Sequence, residues 1–213
     1  MAAPGLPMTP ADLAAADRHL AADPVLAPLV AQYGPCALRP ASDRLAALVG
    51  SIISQQISVR AAASILARFR TLLPDGPLDA AAITALPTET VRSAGLSGAK
   101  AAAIHDLAAR VADGRLDLDA LDTLDNEAAI AALLPVRGVG RWTAEMYLIF
   151  ALARPDVLPV GDLGLRRAAQ LRYGLPDLAD PPTLERLAAP WQPYRSVATW
   201  YLWRSLSSNP PVF

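Results

Sequence analysis

Between Leu133 and Ala168 the chain reads LLPVRGVGRWTAEMYLIFALARPDVLPVGDLGLRRA, a pattern that leaves room for little besides helices joined by tight turns. An apolar helical run ends near Pro135. Gly138 and Gly140 then bracket Val139, so the backbone can turn through positive φ while Val139 plugs the turn into a core. From Arg141 to Ala153 there is neither Gly nor Pro and most residues are apolar, which predicts a helix buried over most of its surface. Pro155 and Pro159 stop it and restrict a loop that ends at Gly161. Asp162 follows, at the N-cap position of a further helix, LGLRRAAQLRY.

Two features of this stretch carry chemistry. The N–H groups and positive dipole end of the helix beginning at Arg141 face the same space as the glycine backbone, which suits a phosphate. Such a contact fixes position and reads no base sequence. An ordinary corner between helices, with glycine as C-cap, would use the same G-x-G spacing. Asp162 is likewise open to two readings. It can be a plain helix cap, or a rigidly held carboxylate that the dipole keeps ionised opposite a developing cation.

Taken together, Gly138-Val139-Gly140-Arg141-Trp142-Thr143-Ala144 and, one helix later, Leu158-Pro159-Val160-Gly161-Asp162 resemble the helix-hairpin-helix DNA glycosylase superfamily. Within it, they are most similar to the alkylpurine (3-methyladenine) glycosylases of the AlkA type, in a short form without the N-terminal β domain of the longer proteins. The resemblance extends from about Asp23 to Trp203. It implies that Asp162 is catalytic, and that Arg137, Gly138, Val139, Gly140 and Arg141 hold the DNA backbone. It further implies that Trp142, Met146 and Trp203 line the pocket for a flipped base, Met146 standing where the AlkA type carries another aromatic. Gln56 falls where the family inserts a residue, often leucine, into the gap left by that base. An amide there can hydrogen-bond the orphaned partner base, whereas leucine only stacks.

The same resemblance bears on the reaction. Superfamily members that cleave the strand as lyases carry a nucleophilic lysine just after the hairpin, where this chain has Trp142, and Lys100 is its only lysine. Simple hydrolysis by a monofunctional glycosylase is therefore expected, with a monomer acting on double-stranded DNA that contains alkylated bases. No metal or organic cofactor is implied, although hairpin carbonyls in the superfamily can hold a monovalent cation. The single cysteine, Cys36, excludes an internal disulfide and the four-cysteine iron–sulfur loop of some relatives, and is expected as a buried bystander. Two alternatives stay open: a glycosylase of the same superfamily for oxidised or mismatched bases, and a non-catalytic DNA-binding module that uses only the hairpin.

Net charge is −1, which does not fit a general polyanion binder. Its distribution does leave room for one: six arginines stand against three acids from Arg137 to Arg172, and six acids against Arg115 from Asp113 to Glu127. A positive face opposite an acidic one is one outcome, and solvated charge runs the other. Hydrophobic residues make up 53% of the chain, yet no apolar run approaches the ~18 residues of a membrane span. Residues 1–10 lack the basic start and apolar core of a signal peptide, so a soluble, cytoplasmic protein is expected.

Elsewhere the chain is a succession of capped helices. Residues 1–9 are Pro-rich and expected to be a disordered tail, with Thr9 and Pro10 opening a helix. Asp23-Pro24 opens a second that ends at Gly34, Asp43 a third, and Ser58 a fourth that stops at Pro74-Asp75-Gly76-Pro77. Between the third and fourth lie Ser54-Gln55-Gln56-Ile57-Ser58, amides and hydroxyls in apolar surroundings. Thr88 starts a short helix ended by Gly95, and Ser97 a long one through Val111. Trp191, Tyr194, Trp200, Tyr201 and Trp203 crowd into thirteen residues, at a spacing that serves a core stripe or walls for a base. The only alternation of strand type, at Arg115–Asp119, is too brief to count. The expected fold is all-α, one glycosylase domain over 10–213 in two helical lobes, the second spanning about 43–133, with the substrate cleft between them.

Overall fold

The computed structural model describes residues 6–206 of the chain. Twelve α-helices and two short 3₁₀ turns account for its regular structure, and there is no strand among the described residues. The all-α expectation holds. In chain order the helices are α1 Pro10–Leu20, α2 Leu26–Tyr33, α3 Arg44–Ser54, α4 Val59–Arg70, α5 Ala80–Ala85, α6 Thr88–Ser93, α7 Gly98–Ala112, α8 Asn126–Leu133, α9 Arg141–Phe150, α10 Leu163–Tyr173, α11 Pro181–Ala188 and α12 Arg195–Arg204.

Short polar side chains decide where most of these helices begin. Thr9, Asp43, Ser58, Ser97 and Asp162 each accept a hydrogen bond from an amide of the first turn, and each such cap stabilises its helix by about 1 kcal/mol. Asp43 serves twice: Oδ1 takes the Ala46 amide and Oδ2 the Leu78 amide, both at 2.8 Å. Asp23 accepts from Val25 and Leu26 instead, so α2 starts later than Asp23-Pro24 suggests. Two helices were not foreseen, α5 capped by Asp79 and α11 capped by Asp180. The brief alternation at Arg115–Asp119 is not a strand.

The chain divides into two compact units, one made of the described residues up to Pro40 and from Leu148 onward, the other of Ala41–Tyr147. In the first, α12 packs against α1, α2 and α10. Trp191, Tyr194, Trp200, Tyr201 and Trp203 are all buried there, so the crowded aromatics are core residues. In the second, α7 gathers α3, α5 and α6, and α3 packs on α4. Leu48, Val49, Ile52, Ile83, Ile104 and Leu107 form its interior, each contributing roughly 1.5–3 kcal/mol by leaving water.

Of the expected disordered tail, residues 1–5 lie outside the described residues. Residues 6–9 depart from that expectation: Met8 is buried and its amide donates to the Ala153 carbonyl at 3.0 Å, while Thr9 completes a capping box with Asp12. An apolar side chain with a place in the core holds this end of the chain. Cys36 is buried as expected, and burial pushes its thiol up to about 12, so it stays protonated at neutral pH. No helix among the described residues is long and apolar enough to cross a membrane.

Candidate active site

Asp162 is held by a loop with almost no freedom. After α9 the chain turns back, with the Arg154 amide donating to the Leu148 carbonyl at 3.0 Å. The Val157 amide donates to Ser196 Oγ at 2.9 Å, the Ser196 amide to the Pro155 carbonyl at 3.0 Å, and Arg195 grips Asp156 with two guanidinium bonds of 2.6 and 2.9 Å. The Asp162 amide then closes a tight turn onto the Pro159 carbonyl at 2.9 Å. Pro155 and Pro159 restrict what these bonds leave free.

The Asp162 carboxylate is buried, and its Oδ1 accepts from the Leu165 amide at 2.6 Å and from Trp203 Nε1 at 2.8 Å. These two N–H donors hold the carboxylate in one place, so it needs no rearrangement when positive charge develops nearby. The Trp203 ring stacks on Phe150, centroids 5.5 Å apart and planes 18° from parallel. Trp203 is therefore an orienting partner of Asp162 as well as an aromatic surface.

Gly164 is a residue that the sequence did not single out. A Cβ there would come within 3.1 Å of Asp162 Oδ1 and 3.4 Å of Trp203 Nε1, so the absence of a side chain is what lets the indole reach the carboxylate. A signal existed, since glycine inside a first helical turn weakens the helix by about 1 kcal/mol and calls for a reason.

The hairpin, in the unit Ala41–Tyr147, offers backbone rather than side chains. Gly138 sits at φ +76°, where a Cβ is strained and would press on Ala103 at 3.4 Å. Val139 is buried, and its amide donates to the Val136 carbonyl at 3.0 Å, so this residue plugs the turn and has no donor left for DNA. The Arg137 amide is taken by Asp106 Oδ2 at 2.7 Å, while its side chain is exposed. The Gly138 and Gly140 amides have no hydrogen-bond partner among the described residues.

The arginines thin out on inspection. Arg141, expected on the DNA backbone, bonds Glu127 at 2.5 and 2.9 Å and Glu145 at 3.0 Å, so its charge is already answered. Arg154 is wholly buried, Arg166 donates to the Ala179 carbonyl and Arg172 to the Ser205 carbonyl. Of the six arginines from Arg137 to Arg172, Arg154 is thus buried and Arg141 paired, while Arg137, Arg167 and Arg172 stay exposed.

The remaining sites separate by exposure. Trp142, in the first turn of α9, leaves 40% of its surface exposed, whereas Met146 one turn later is buried at 2%. Gln56 is exposed and adopts φ +59°, rare for a residue with a side chain. Its neighbour Gln55, unassigned from sequence, reaches the hairpin by donating to the Gly138 carbonyl at 3.0 Å and to Thr143 Oγ1 at 3.2 Å. Among the described residues no three or more His, Cys, Asp or Glu gather as a metal site would require.

Residues 49–193 match the HhH-GPD superfamily of base excision DNA repair proteins. The chain belongs to that superfamily. It is 32% identical over 199 residues to the alkylbase DNA glycosidase-like protein mag2 of Schizosaccharomyces pombe, covering 91% of this chain and 93% of that one. Among solved structures it is similar to a 3-methyladenine DNA glycosylase of Schizosaccharomyces pombe in complex with abasic DNA, with a TM-score of 0.79, 30% identity and coverage of 90% and 96%. A DNA-3-methyladenine glycosidase of Bacillus halodurans gives the same TM-score of 0.79 at 34% identity, covering 89% of this chain and 88% of that one. The superfamily membership implied by residues 138–144 and 158–162 is borne out.

Proposed function

We propose that this HhH-GPD protein is a monofunctional DNA glycosylase that flips alkylated purines out of duplex DNA and hydrolyses their N-glycosidic bond, with Asp162 as the catalytic carboxylate. The observation that carries this is the buried Asp162, fixed by the Leu165 amide and the Trp203 indole. The names of its relatives, 3-methyladenine glycosylases, support the substrate class.

The chemistry follows from charge. Alkylation at a ring nitrogen makes the purine cationic, so it departs as a neutral base with the electron pair of the C1′–N bond, and no general acid is required. The sugar left behind is electron-poor at C1′. Asp162 opposes that charge, worth far more in a buried site than in water. Water then adds at C1′ and gives its proton to Asp162 or to solvent, leaving a hydroxyl at C1′ and an unbroken strand. Unstacking costs a few kcal/mol and least at a damaged pair, which contributes to selectivity. The partly exposed Trp142 ring suits a cationic base through cation–π attraction.

A lyase route finds no support. A Schiff-base route would need Lys100 or the N-terminus, and the Lys100 ammonium donates to the Ile53 and Gln55 carbonyls at 2.7 Å each. In the test, methylated duplex DNA is incubated with the protein and the released bases are identified by chromatography. Free alkylpurine and an intact abasic strand are expected. Release only from oxidised or mismatched duplexes would move the activity within the superfamily, and binding without release would reduce the protein to a DNA-binding module.

A further inference from the structure

Gln56 stands at φ +59°, a left-handed backbone conformation that is unfavourable for a residue with a side chain. Such a conformation persists only where its surroundings hold it, and here two side chains do. Lys100 Nζ lies 2.7 Å from both the Ile53 and the Gln55 carbonyls, at the end of α3 where carbonyls have no partner in the helix. Lys100 itself occupies the first turn of α7, where the helix dipole disfavours a cation, so its placement answers to α3 and not to its own helix.

Gln55 supplies the second restraint. Its Nε2 donates to the Gly138 carbonyl and to Thr143 Oγ1, tying the turn to a hairpin 83 residues away. The Gly138 carbonyl belongs to the same peptide group as the Val139 amide, which donates to Val136. That peptide plane is therefore fixed at both ends. All these contacts lie within the unit Ala41–Tyr147.

We infer that Lys100 and Gln55 are positioning residues: together they brace the Gln56 turn against the hairpin, so that the Gln56 side chain enters the duplex at a set distance from the bound phosphate. This rests on the assignment of Gln56 as the inserting residue. The brace explains why the turn does without glycine, which would adopt the same φ freely but bring no side chain to insert. It also gives the only lysine of the chain a role outside covalent chemistry.

The test uses the full protein and two duplexes, one undamaged and one with a tetrahydrofuran abasic site opposite 2-aminopurine, whose fluorescence reports insertion. Gln56→Ala should abolish the fluorescence change and the preference for abasic DNA. Lys100→Met should reduce that preference about tenfold, leave undamaged binding within about twofold, and lose its effect when combined with Gln56→Ala. Lys100→Arg should restore much of the preference. Gln55→Met, which removes the tie to the hairpin and leaves α3 capped, keeps the proposal exposed should Lys100→Met fail to fold. The brace is overturned if Gln56→Ala matters while Lys100→Met and Gln55→Met do not, or if Lys100→Met costs as much without the Gln56 amide as with it. An unchanged signal in Gln56→Ala would instead remove the insertion on which the brace depends, and leave the glycosylase assignment to the base-release assay.

Discussion

Under the proposed function, the two units put opposite kinds of atom to use. Around Asp162 the working group is a side chain, buried and fixed by N–H donors from a helix start and an indole. At the Gly138 hairpin it is exposed backbone, shaped by positive φ and held from behind by the Gln55 amide. A carboxylate that must meet charge gains from exclusion of water, whereas a phosphate contact needs only correctly aimed N–H groups at the surface. Substitutions should therefore affect different measurements: those near Asp162 the chemical step, those in the hairpin the binding of any duplex.

The largest effect should come from Asp162→Asn. Asparagine caps a helix about as well as aspartate and its Oδ1 can still accept from Leu165 and Trp203, so the fold and abasic-DNA affinity should persist. Loss of the charge should lower single-turnover excision about 100-fold or more. Excision at the wild-type rate by a folded variant would show that the carboxylate is merely a cap, and the contrast between the units would disappear.

Trp203→Phe comes next. It keeps a ring against Phe150 and deletes the Nε1–H that reaches Asp162. A hydrogen bond to a charged group is worth about 1.5–3 kcal/mol, so kcat should fall roughly tenfold to 100-fold. If KM rises instead and kcat holds, Trp203 acts by stacking on the base and not by orienting Asp162. Gly164→Ala should shift kcat in the same direction, since its Cβ would crowd Asp162 Oδ1 and the indole.

How much of this was legible in the sequence follows from the range of each interaction. Thr9, Asp43, Ser58, Ser97 and Asp162 were readable as caps because a cap acts over three residues. α5 and α11 escaped notice although Asp79 and Asp180 cap them, because six or eight residues are too few for a helical period to declare itself. The resemblance pointed to Asp162 and the hairpin and passed over Gln55 for its neighbour, since the partners of Gln55 are 83 and 88 residues distant. Charge misled most. The arginines from 137 to 172 count as positive in any composition, and only the fold reveals that Arg141 is paired and Arg154 buried.

The hairpin glycines allow a sharper division than their shared motif suggests. Gly138→Ala forces a side chain to φ +76° against Ala103, so it should destabilise the protein by about 1 kcal/mol or more and lower its thermal midpoint. Gly140 lies outside the positive-φ region and a Cβ there meets nothing within 4 Å. Gly140→Ala should therefore lose less than about 1 kcal/mol, as a poorer N-cap, yet weaken damaged and undamaged duplexes equally by covering its amide. Unchanged affinity for both DNAs would make the hairpin a corner between helices.

The smallest effect separates two arginines that flank the same hairpin. Arg137 presents an exposed guanidinium, and Arg141 bonds Glu127 and Glu145. If only the former neutralises a phosphate, Arg137→Gln should reduce the slope of log affinity against log salt by about 1, because one fewer counterion is released on binding. Arg141→Gln should leave that slope alone. It removes the exposed pair with Glu127, worth at most about 1 kcal/mol, and frees that carboxylate, so any loss of affinity should come from its repulsion of DNA. The double variant Arg141→Gln, Glu127→Gln distinguishes the two causes. Recovery of affinity would mean that Glu127, once unpaired, had repelled the duplex. A slope that falls in Arg141→Gln and stays low in the double variant would mean that Arg141 leaves Glu127 for phosphate when DNA arrives, and that charge as well as backbone holds the strand at this turn.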